Sequence, residues 1–134
     1  MENREISDGQ ITASSQWDER LSARQARLHS TSEGSKGGGW SALKNGLSQW
    51  LQVDLGSYTT VTRVATQGRN GHDEWVTKYG LQYSDDENIF HFFEEAGGSS
   101  TKVCPSVVNV TSGTNIFILF YVIFYTYRGI CLSA

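Results

Sequence analysis

The chain has 134 residues, 38% of them hydrophobic and 19% charged, a length that suits one domain able to bury a core. Its 14 Gly and single Pro are typical of a globular chain rather than of a disordered or collagen-like one. The net charge of -3 provides no general basic face, which disfavours nucleic acid as a partner.

Cysteine content and apolar runs limit the architecture further. Cys104 and Cys131 can form one disulfide, but they are too few for a dense disulfide scaffold or a zinc site built from Cys alone. The first residues are polar and charged, so no signal peptide is visible. The longest apolar run, residues 116–125, falls short of the roughly 20 residues that a spanning helix needs, and we interpret it as a strand.

The elements predicted along the chain are strands and turns. Apolar and polar residues alternate in residues 51–55, which end at Gly56, and again in residues 79–83, as expected of half-buried strands. Residues 60–67 are rich in β-branched side chains and also predict a strand. Loops containing Gly are predicted at residues 33–39, 69–74 and 97–101. Many short strands with frequent turns indicate an antiparallel sandwich or barrel.

Five segments occur in an order that is typical of one family. They are QITASS (10–15), ARL (26–28), QWLQVDLG (49–56), TQGR (66–69) and WVTKYGLQYSDD (75–86). Together they closely resemble the discoidin domain, the coagulation factor V/VIII type C module. The resemblance implies an all-β antiparallel sandwich or jelly roll, galactose-binding-like, that binds lipid head groups, glycans or proteins through loops at one end. It also implies no catalysis, no cofactor and an extracellular or cell-surface location.

The resemblance covers residues 5–95, and we predict a single domain over residues 5–134 with a divergent tail at 96–134. Family members usually carry a cysteine near each terminus, but no Cys precedes Gln10. The late strands that complete both sheets in the family are replaced here by an uncharged aromatic segment. Two outcomes follow: the tail fills a strand position, or the chain is a non-functional fragment of a larger adhesion protein.

The first candidate site is the loop of residues 16–22, which matches the place of a projecting binding loop in the family. Trp17 and Leu21 are predicted to supply contact area, since Trp buries a large area with few rotatable bonds. Arg20 is predicted to hold anionic or polar groups, and Asp18 and Glu19 to form hydrogen bonds. The alternative is that Trp17 packs inside the sandwich and the charges only keep the loop soluble.

The second candidate site is the loop of residues 69–74. We predict that Arg69 grips an anionic group with its guanidinium, while Asn70, His72 and Asp73 exchange hydrogen bonds with a ligand. On this interpretation Arg20 and Arg69 can be replaced without unfolding the chain. The alternative is that Arg69 pairs with an acidic neighbour and Asn70 belongs only to a turn.

Loop composition decides between ligand classes. A membrane-binding loop needs large apolar residues at its tip with Lys or Arg behind them, because acyl burial and anionic head groups must both be satisfied. Leu21 alone is apolar at the tip of the first loop, and Asp18 and Glu19 would repel an anionic surface. The sequence therefore favours a non-enzymatic adhesion module that binds a glycan or a cell-surface or matrix protein. Binding of phosphatidylserine or another anionic lipid is the alternative.

Three other patterns give little support for chemistry. The three His residues lack the sequence context of a hydrolase triad. Residues 85–88 are acidic but lack the ligand spacing of an EF-hand loop, so we predict a strand-ending turn and no metal. Asn109 begins a glycosylation sequon that matters only if the chain enters the secretory pathway.

Overall fold

The computed structural model describes residues 5–94, 101–103, 107–109, 114–125 and 131–133, with side chains described in residues 5–94. These residues form β-strands and three short 3-10 turns, and none of them is in an α-helix. No helix in this part of the chain has the length and apolar character needed to cross a membrane. The strands are β1 (Ile11–Ala13), β2 (Trp50–Thr60), β3 (Arg63–Gln67), β4 (Val76–Ser84), β5 (His91–Phe92), β6 (Thr101–Val103), β7 (Val107–Asn109), β8 (Thr114–Tyr125) and β9 (Cys131–Ser133).

The strands form two antiparallel sheets. The larger sheet has the order β1-β2-β8-β4-β5, with β6 also paired to β4, and the smaller sheet has the order β7-β3-β9. Every strand pair is antiparallel. This arrangement confirms the predicted all-β antiparallel sandwich.

The divergent tail supplies the central strand of the larger sheet. Phe120 of β8 pairs with Leu51 of β2 on one side and with Leu81 of β4 on the other. The prediction of a strand at residues 116–125 is therefore confirmed, with β8 beginning two residues earlier at Thr114. A strand in this position satisfies the backbone groups of both neighbours, which would otherwise form unpaired edges.

The predicted end of the second strand is wrong. β2 continues past Gly56 to Thr60, with an irregularity in its pairing to β8 between Asp54 and Thr59. Gly56 adopts a φ of 73°, and its N–H donates to the Asp54 carboxylate at 2.7 Å, so the chain bends here without leaving the sheet. The predicted strand at 60–67 is accordingly divided, because Thr60 belongs to β2 and β3 begins at Arg63.

The core lies between the two sheets and includes the predicted apolar residues Leu51, Val53, Tyr79 and Leu81, although Gln52 and Gly80 between them are buried as well. Leu51 and Val53 of β2, Tyr79 of β4 and Val64 of β3 are fully buried together with Trp40. A buried side chain of this size contributes roughly 1.5–3 kcal/mol through removal of apolar area from water. The core is thus built mainly from segments whose strand patterning was visible in the sequence.

Several predictions fall partly outside the described residues. Cys104 and residues 97–100 are not among them, so the disulfide with Cys131 stays a prediction, and Thr101 belongs to strand β6 rather than to a loop. Asn109 ends β7 opposite Arg63, whereas the Thr111 of its sequon is outside the described range. Glycosylation of Asn109 also stays a prediction.

Candidate functional site

Two loops at one end of the sandwich are joined through a short glycine segment, residues 37–39. The first loop, predicted at residues 16–22, spans residues 14–22 in the structure and follows β1. The second loop, predicted at residues 69–74, spans residues 68–75 and connects β3 to β4. The Gly37 N–H donates to the Arg20 carbonyl at 2.7 Å, and the Gly37 carbonyl accepts from Arg69 Nε at 2.6 Å. The Asn70 N–H donates to the Gly38 carbonyl at 3.1 Å. These bonds hold the two loops side by side.

Glycine is required in this segment for a steric reason. A Cβ atom on Gly37 would lie 2.5 Å from Leu21 Cδ2 and 2.6 Å from the Arg20 carbonyl oxygen, closer than real contacts allow. Gly38 has a φ of 78°, in the left-handed region that side chains disfavour. The predicted loop at residues 33–39 is therefore closely packed at its C-terminal end, where residues 37–39 are buried.

The first loop presents Trp17 and buries Leu21. Trp17 is 42% exposed, while its backbone N–H donates to the Ser41 carbonyl at 2.8 Å. The tryptophan that fills the core is instead Trp40, so the alternative of a Trp17 packed inside the sandwich does not describe this structure. Leu21 is only 7% exposed. The prediction that Leu21 supplies ligand contact area is wrong, because its side chain packs beneath Gly37.

The charged residues of the first loop differ in how they are used. Asp18 caps a 3-10 turn (Glu19–Leu21) by accepting from the Leu21 N–H at 3.0 Å. The Glu19 carboxylate accepts from Gln16 at 3.1 Å and from Arg24 at 2.9 Å. Arg20 is exposed, and within the described part of the chain its guanidinium has no hydrogen-bond or ion-pair partner. Arg20 is thus an exposed cation of this loop that is unpaired among the described residues.

The guanidinium of Arg69 in the second loop is bonded to other groups of the chain. Its Nη1 atom lies 2.6 Å from a Glu74 carboxylate oxygen, its Nε donates to Gly37, and its side chain is 14% exposed. Its backbone N–H also donates to the Glu74 carbonyl at 2.9 Å. The internal pairing weighed as the alternative describes Arg69, and the prediction that it grips a ligand is not supported by this geometry.

The tip of the second loop is exposed. Gly71 has a φ of 73°, and the His72 N–H donates to the Arg69 carbonyl at 3.4 Å, which forms a tight turn. Asn70, His72 and Asp73 are all exposed, and Asn70 Oδ1 accepts from the Ser32 N–H at 3.2 Å. The polar groups predicted for this loop therefore lie at the surface.

A neighbouring leucine loop, residues 43–49, was not recognised in the sequence. Leu43 and Leu47 are 50% and 59% exposed, and the exposed Lys44 lies between them in the chain. The loop is joined to the first loop, because the Leu43 N–H donates to Ser15 Oγ at 3.1 Å. The sequence signal that could have identified this loop is the pair of leucines separated by Lys, Asn and Gly. These residues are typical of a turn, and the segment has no strand periodicity.

The acidic run at the end of β4 forms the predicted turn. The Asp86 carboxylate accepts from the backbone N–H groups of Asn88 and Ile89, each at 2.9 Å, and from Ser84 Oγ at 3.1 Å. The Ile89 and Asn88 hydrogen bonds hold the pKa of Asp86 below its ordinary value of 3.8. Across the described residues, no cluster of three or more His, Cys, Asp or Glu could hold a metal ion.

Comparison with known proteins links this architecture to one family. The F5/8 type C domain model matches residues 10–121, which is further than the residue 95 reached by the sequence motifs. The chain is 36% identical over 105 residues to mouse (Mus musculus) retinoschisin, covering 73% of this chain and 46% of that protein. It is 38% identical over 104 residues to rat (Rattus norvegicus) lactadherin, covering 74% of this chain and 24% of that protein. The chain therefore spans less than half the length of these relatives.

Solved structures share the fold at lower identity. Discoidin II of Dictyostelium discoideum superposes with a TM-score of 0.74 at 19% identity, covering 91% of this chain and 52% of that chain. A chitosan-binding module of a Paenibacillus sp. chitosanase/glucanase gives 0.67 at 20% identity, covering 92% and 93%. A family 32 carbohydrate-binding module of C. perfringens, solved with galactose, gives 0.62 at 18% identity, covering 95% and 91%. These likenesses support the sandwich architecture.

Proposed function

Because this chain belongs to the F5/8 type C family of discoidin domains, we propose that it is a non-enzymatic module that binds a glycan or protein ligand through the loops at one end of its sandwich. The observation that carries the proposal is the exposed Trp17 on a loop that is locked to a second polar loop through Gly37. Loops fixed before binding lose less conformational entropy when the ligand arrives.

Each exposed side chain has a role in this proposal. The Trp17 ring stacks on the apolar face of a sugar ring or against a partner surface. Arg20 donates to anionic or polar groups, and Asn70, His72 and Asp73 exchange hydrogen bonds with hydroxyl or amide groups. Arg69 acts as a positioning residue, since its bonds to Gly37 and Glu74 hold the second loop in place.

The structural relatives favour a glycan among the ligand classes. Carbohydrate-binding modules with this fold were solved with galactose and with GalNAc-β-1,3-galactose. We extend the proposal to a single domain over residues 5–134 that acts in adhesion at the cell surface or in the extracellular matrix. The resemblance to secreted-type modules of this family is the support for that location.

Anionic lipid binding is a second candidate, favoured by the leucine loop. Leu43 and Leu47 are exposed, Lys44 lies between them, and the loop is bonded to the first loop that carries Trp17. Exposed apolar side chains with an adjacent cation suit insertion among acyl chains beneath anionic head groups. The sequence disfavoured lipid because Leu21 alone was apolar at the tip of the first loop and because Asp18 and Glu19 would repel an anionic surface. In this second candidate, Leu43 and Leu47 supply the apolar surface instead.

A paired binding experiment tests both candidates. The purified chain is applied to a glycan array and is sedimented with vesicles of phosphatidylcholine alone or mixed with phosphatidylserine. Trp17→Ala should lower glycan affinity by about tenfold or more, as expected for an aromatic anchor, while Tyr58→Ala should leave it unchanged. Tyr58 is an exposed aromatic residue near the C-terminal end of β2, whereas the first loop lies near the N-terminal end of that strand. It is therefore a matched aromatic control.

The outcomes separate the candidates. Glycan binding that survives Trp17→Ala would contradict the proposed site. Sedimentation only with phosphatidylserine vesicles, abolished by replacing Leu43 and Leu47 with Ser, would favour the lipid candidate over the glycan one. Failure of every glycan and vesicle, with the chain shown to be folded, would leave a protein ligand as the surviving form of the proposal.

A further inference from the structure

A polar pocket lies beside the first loop and uses none of the side chains assigned above to ligand binding. It has a volume of about 400 Å³, within the range of small-molecule sites. It is lined by Asp8 and by residues that follow the first loop, among them Arg24, Arg27, Ser30, Thr31 and Lys36.

The pocket is locally basic on an acidic chain. Its lining holds the cations Arg24, Arg27 and Lys36 against the single carboxylate of Asp8, whereas the chain as a whole carries a net charge of -3. The general field of the protein would repel an anion, so a basic pocket of this kind acts only at close range. That combination favours selection of an anionic group by direct contact rather than by long-range steering.

Arg27 forms a fixed wall of the pocket. Its guanidinium lies 2.7 Å from an Asp8 carboxylate oxygen, and it donates to the Ile6 carbonyl at 2.9 Å. Its side chain is mostly buried, while that of Asp8 is exposed. Arg27 is therefore held in place before any ligand binds.

Two other cations are available to an anion. Arg24 is paired with Glu19 at 2.9 Å, but both side chains are exposed, and such pairs contribute little because water screens them. Lys36 is exposed, and its ammonium group has no partner among the described residues. A ligand carboxylate or sulfate can therefore contact Lys36 directly and can replace the Glu19 carboxylate as the partner of Arg24.

The remaining lining groups suit a hydroxyl-rich ligand. His29 adopts a φ of 58°, a conformation that costs a non-glycine residue free energy and often marks a functional position. The turn that holds it is closed by the Ser30 N–H, which donates to the Arg27 carbonyl at 3.2 Å. Ser30 and Thr31 add hydroxyls to the lining, in which Leu28 is the one large apolar side chain. Acyl chains would find little apolar surface here.

We infer that this pocket binds an acidic sugar unit of a glycan, with Lys36 and Arg24 contacting its carboxylate or sulfate and the hydroxyls of Ser30 and Thr31 contacting the ring. Arg27 holds the shape of the pocket from behind. This site does not depend on the proposed function, because Trp17, Arg20 and the second loop contribute nothing to it.

The test uses a heparin-derived tetrasaccharide as the acidic probe and chitotetraose as the uncharged one. Two-dimensional 15N NMR of the whole chain should show the acidic probe shifting the amide signals of Ser30, Thr31 and Lys36. Titration calorimetry should show that Lys36→Gln and Arg24→Gln each weaken binding by about tenfold, since each removes a charge-assisted contact. Arg63→Gln, which removes a positive charge at the exposed start of β3, should change the affinity by less than about twofold.

Four results would overturn the inference. They are amide shifts confined to the first and second loops, equal losses from Lys36→Gln and Arg63→Gln, equal binding of chitotetraose, and identical shifts produced by inorganic sulfate alone at the same concentration. Arg20→Gln should weaken binding of the acidic probe less than Lys36→Gln does. If Arg20→Gln causes the larger loss, the probe occupies the loops of the proposed function and the pocket is not its site.

Discussion

Arg69 and Gly37 are joined by a hydrogen bond of 2.6 Å from the guanidinium Nε to the carbonyl oxygen, although they are separated by 32 positions in the chain. The same guanidinium contacts the Glu74 carboxylate at 2.6 Å. Gly37 in turn donates to the Arg20 carbonyl. Together with the hydrogen bond from the Asn70 N–H to the Gly38 carbonyl, this arginine fixes the position of the second loop relative to the first.

Replacing Arg69 should therefore cost stability as well as loop order. Arg69→Ala removes two charge-assisted contacts and leaves the half-buried Glu74 unpaired, so we expect a loss of about 2 kcal/mol in the free energy of unfolding. Urea denaturation measures this. Arg20→Ala, at an exposed position in the first loop, should change stability by less than about 0.5 kcal/mol. Equal stability of the two variants would contradict the role given to Arg69.

The glycine at position 37 should be equally intolerant of change. Gly37→Ala places a methyl group 2.5 Å from Leu21 Cδ2 and 2.6 Å from a backbone oxygen, and such overpacking typically costs about 1–3 kcal/mol. Gly46→Ala is the matched control, because nothing lies within 4 Å of the methyl group it would add. Thermal unfolding of both variants decides the matter, and a wild-type melting temperature for Gly37→Ala would refute the packing argument.

The sequence predicted features that depend on neighbouring residues in the chain, and it missed features that depend on contacts between residues distant in the chain. The strands β2 and β4 were recognisable because Leu51, Val53 and Tyr79 alternate with polar neighbours, and that period is a local property. Leu21 was misjudged because Gly37, which covers its side chain, is distant in the chain. The pairing of Arg69 with a nearby acidic residue was left open by the sequence, whereas its second partner, Gly37, is also distant. No local pattern reports such a contact.

The proposed binding loops also combine features that the sequence predicted with features that it did not. The exposure of His72 and Asp73 followed from the turn at Gly71, which the sequence marks with Asn-Gly. The exposed Leu43 and Leu47 escaped notice because isolated leucines in a loop look the same whether they are buried or not. Their exposure depends on how the loop is bonded to Ser15 and how far it stands from the core.

The tail should be essential for cooperative folding. Ending the chain at residue 113 removes β8, which pairs with both β2 and β4, and would leave two unpaired edges in the centre of the larger sheet. We expect the whole chain to show a sharp thermal transition in near-ultraviolet circular dichroism and the truncated chain to show none. A cooperative transition in the truncated chain, or its absence in the whole chain, would contradict the central position of β8 and favour a non-functional fragment.

The turn after β4 should give an acid-dependent contribution to stability through Asp86. Its pKa lies below the ordinary value of 3.8, first because the Ile89 N–H donates to the carboxylate and next because the Asn88 N–H does. A depressed pKa in the folded state means that folding favours the ionised carboxylate, so this stabilisation is present above the unfolded pKa and is lost as the pH falls through the folded one.

Asp86→Ala should lower the melting temperature at neutral pH, and its difference from the wild type should shrink as the pH falls from the unfolded pKa through the folded one, because the wild-type carboxylate then becomes protonated. Asp85→Ala is the control, since the neighbouring carboxylate accepts none of these bonds within the described residues. A difference between Asp86→Ala and the wild type that stays constant from neutral to acidic pH would show that the ionised carboxylate does not stabilise the turn.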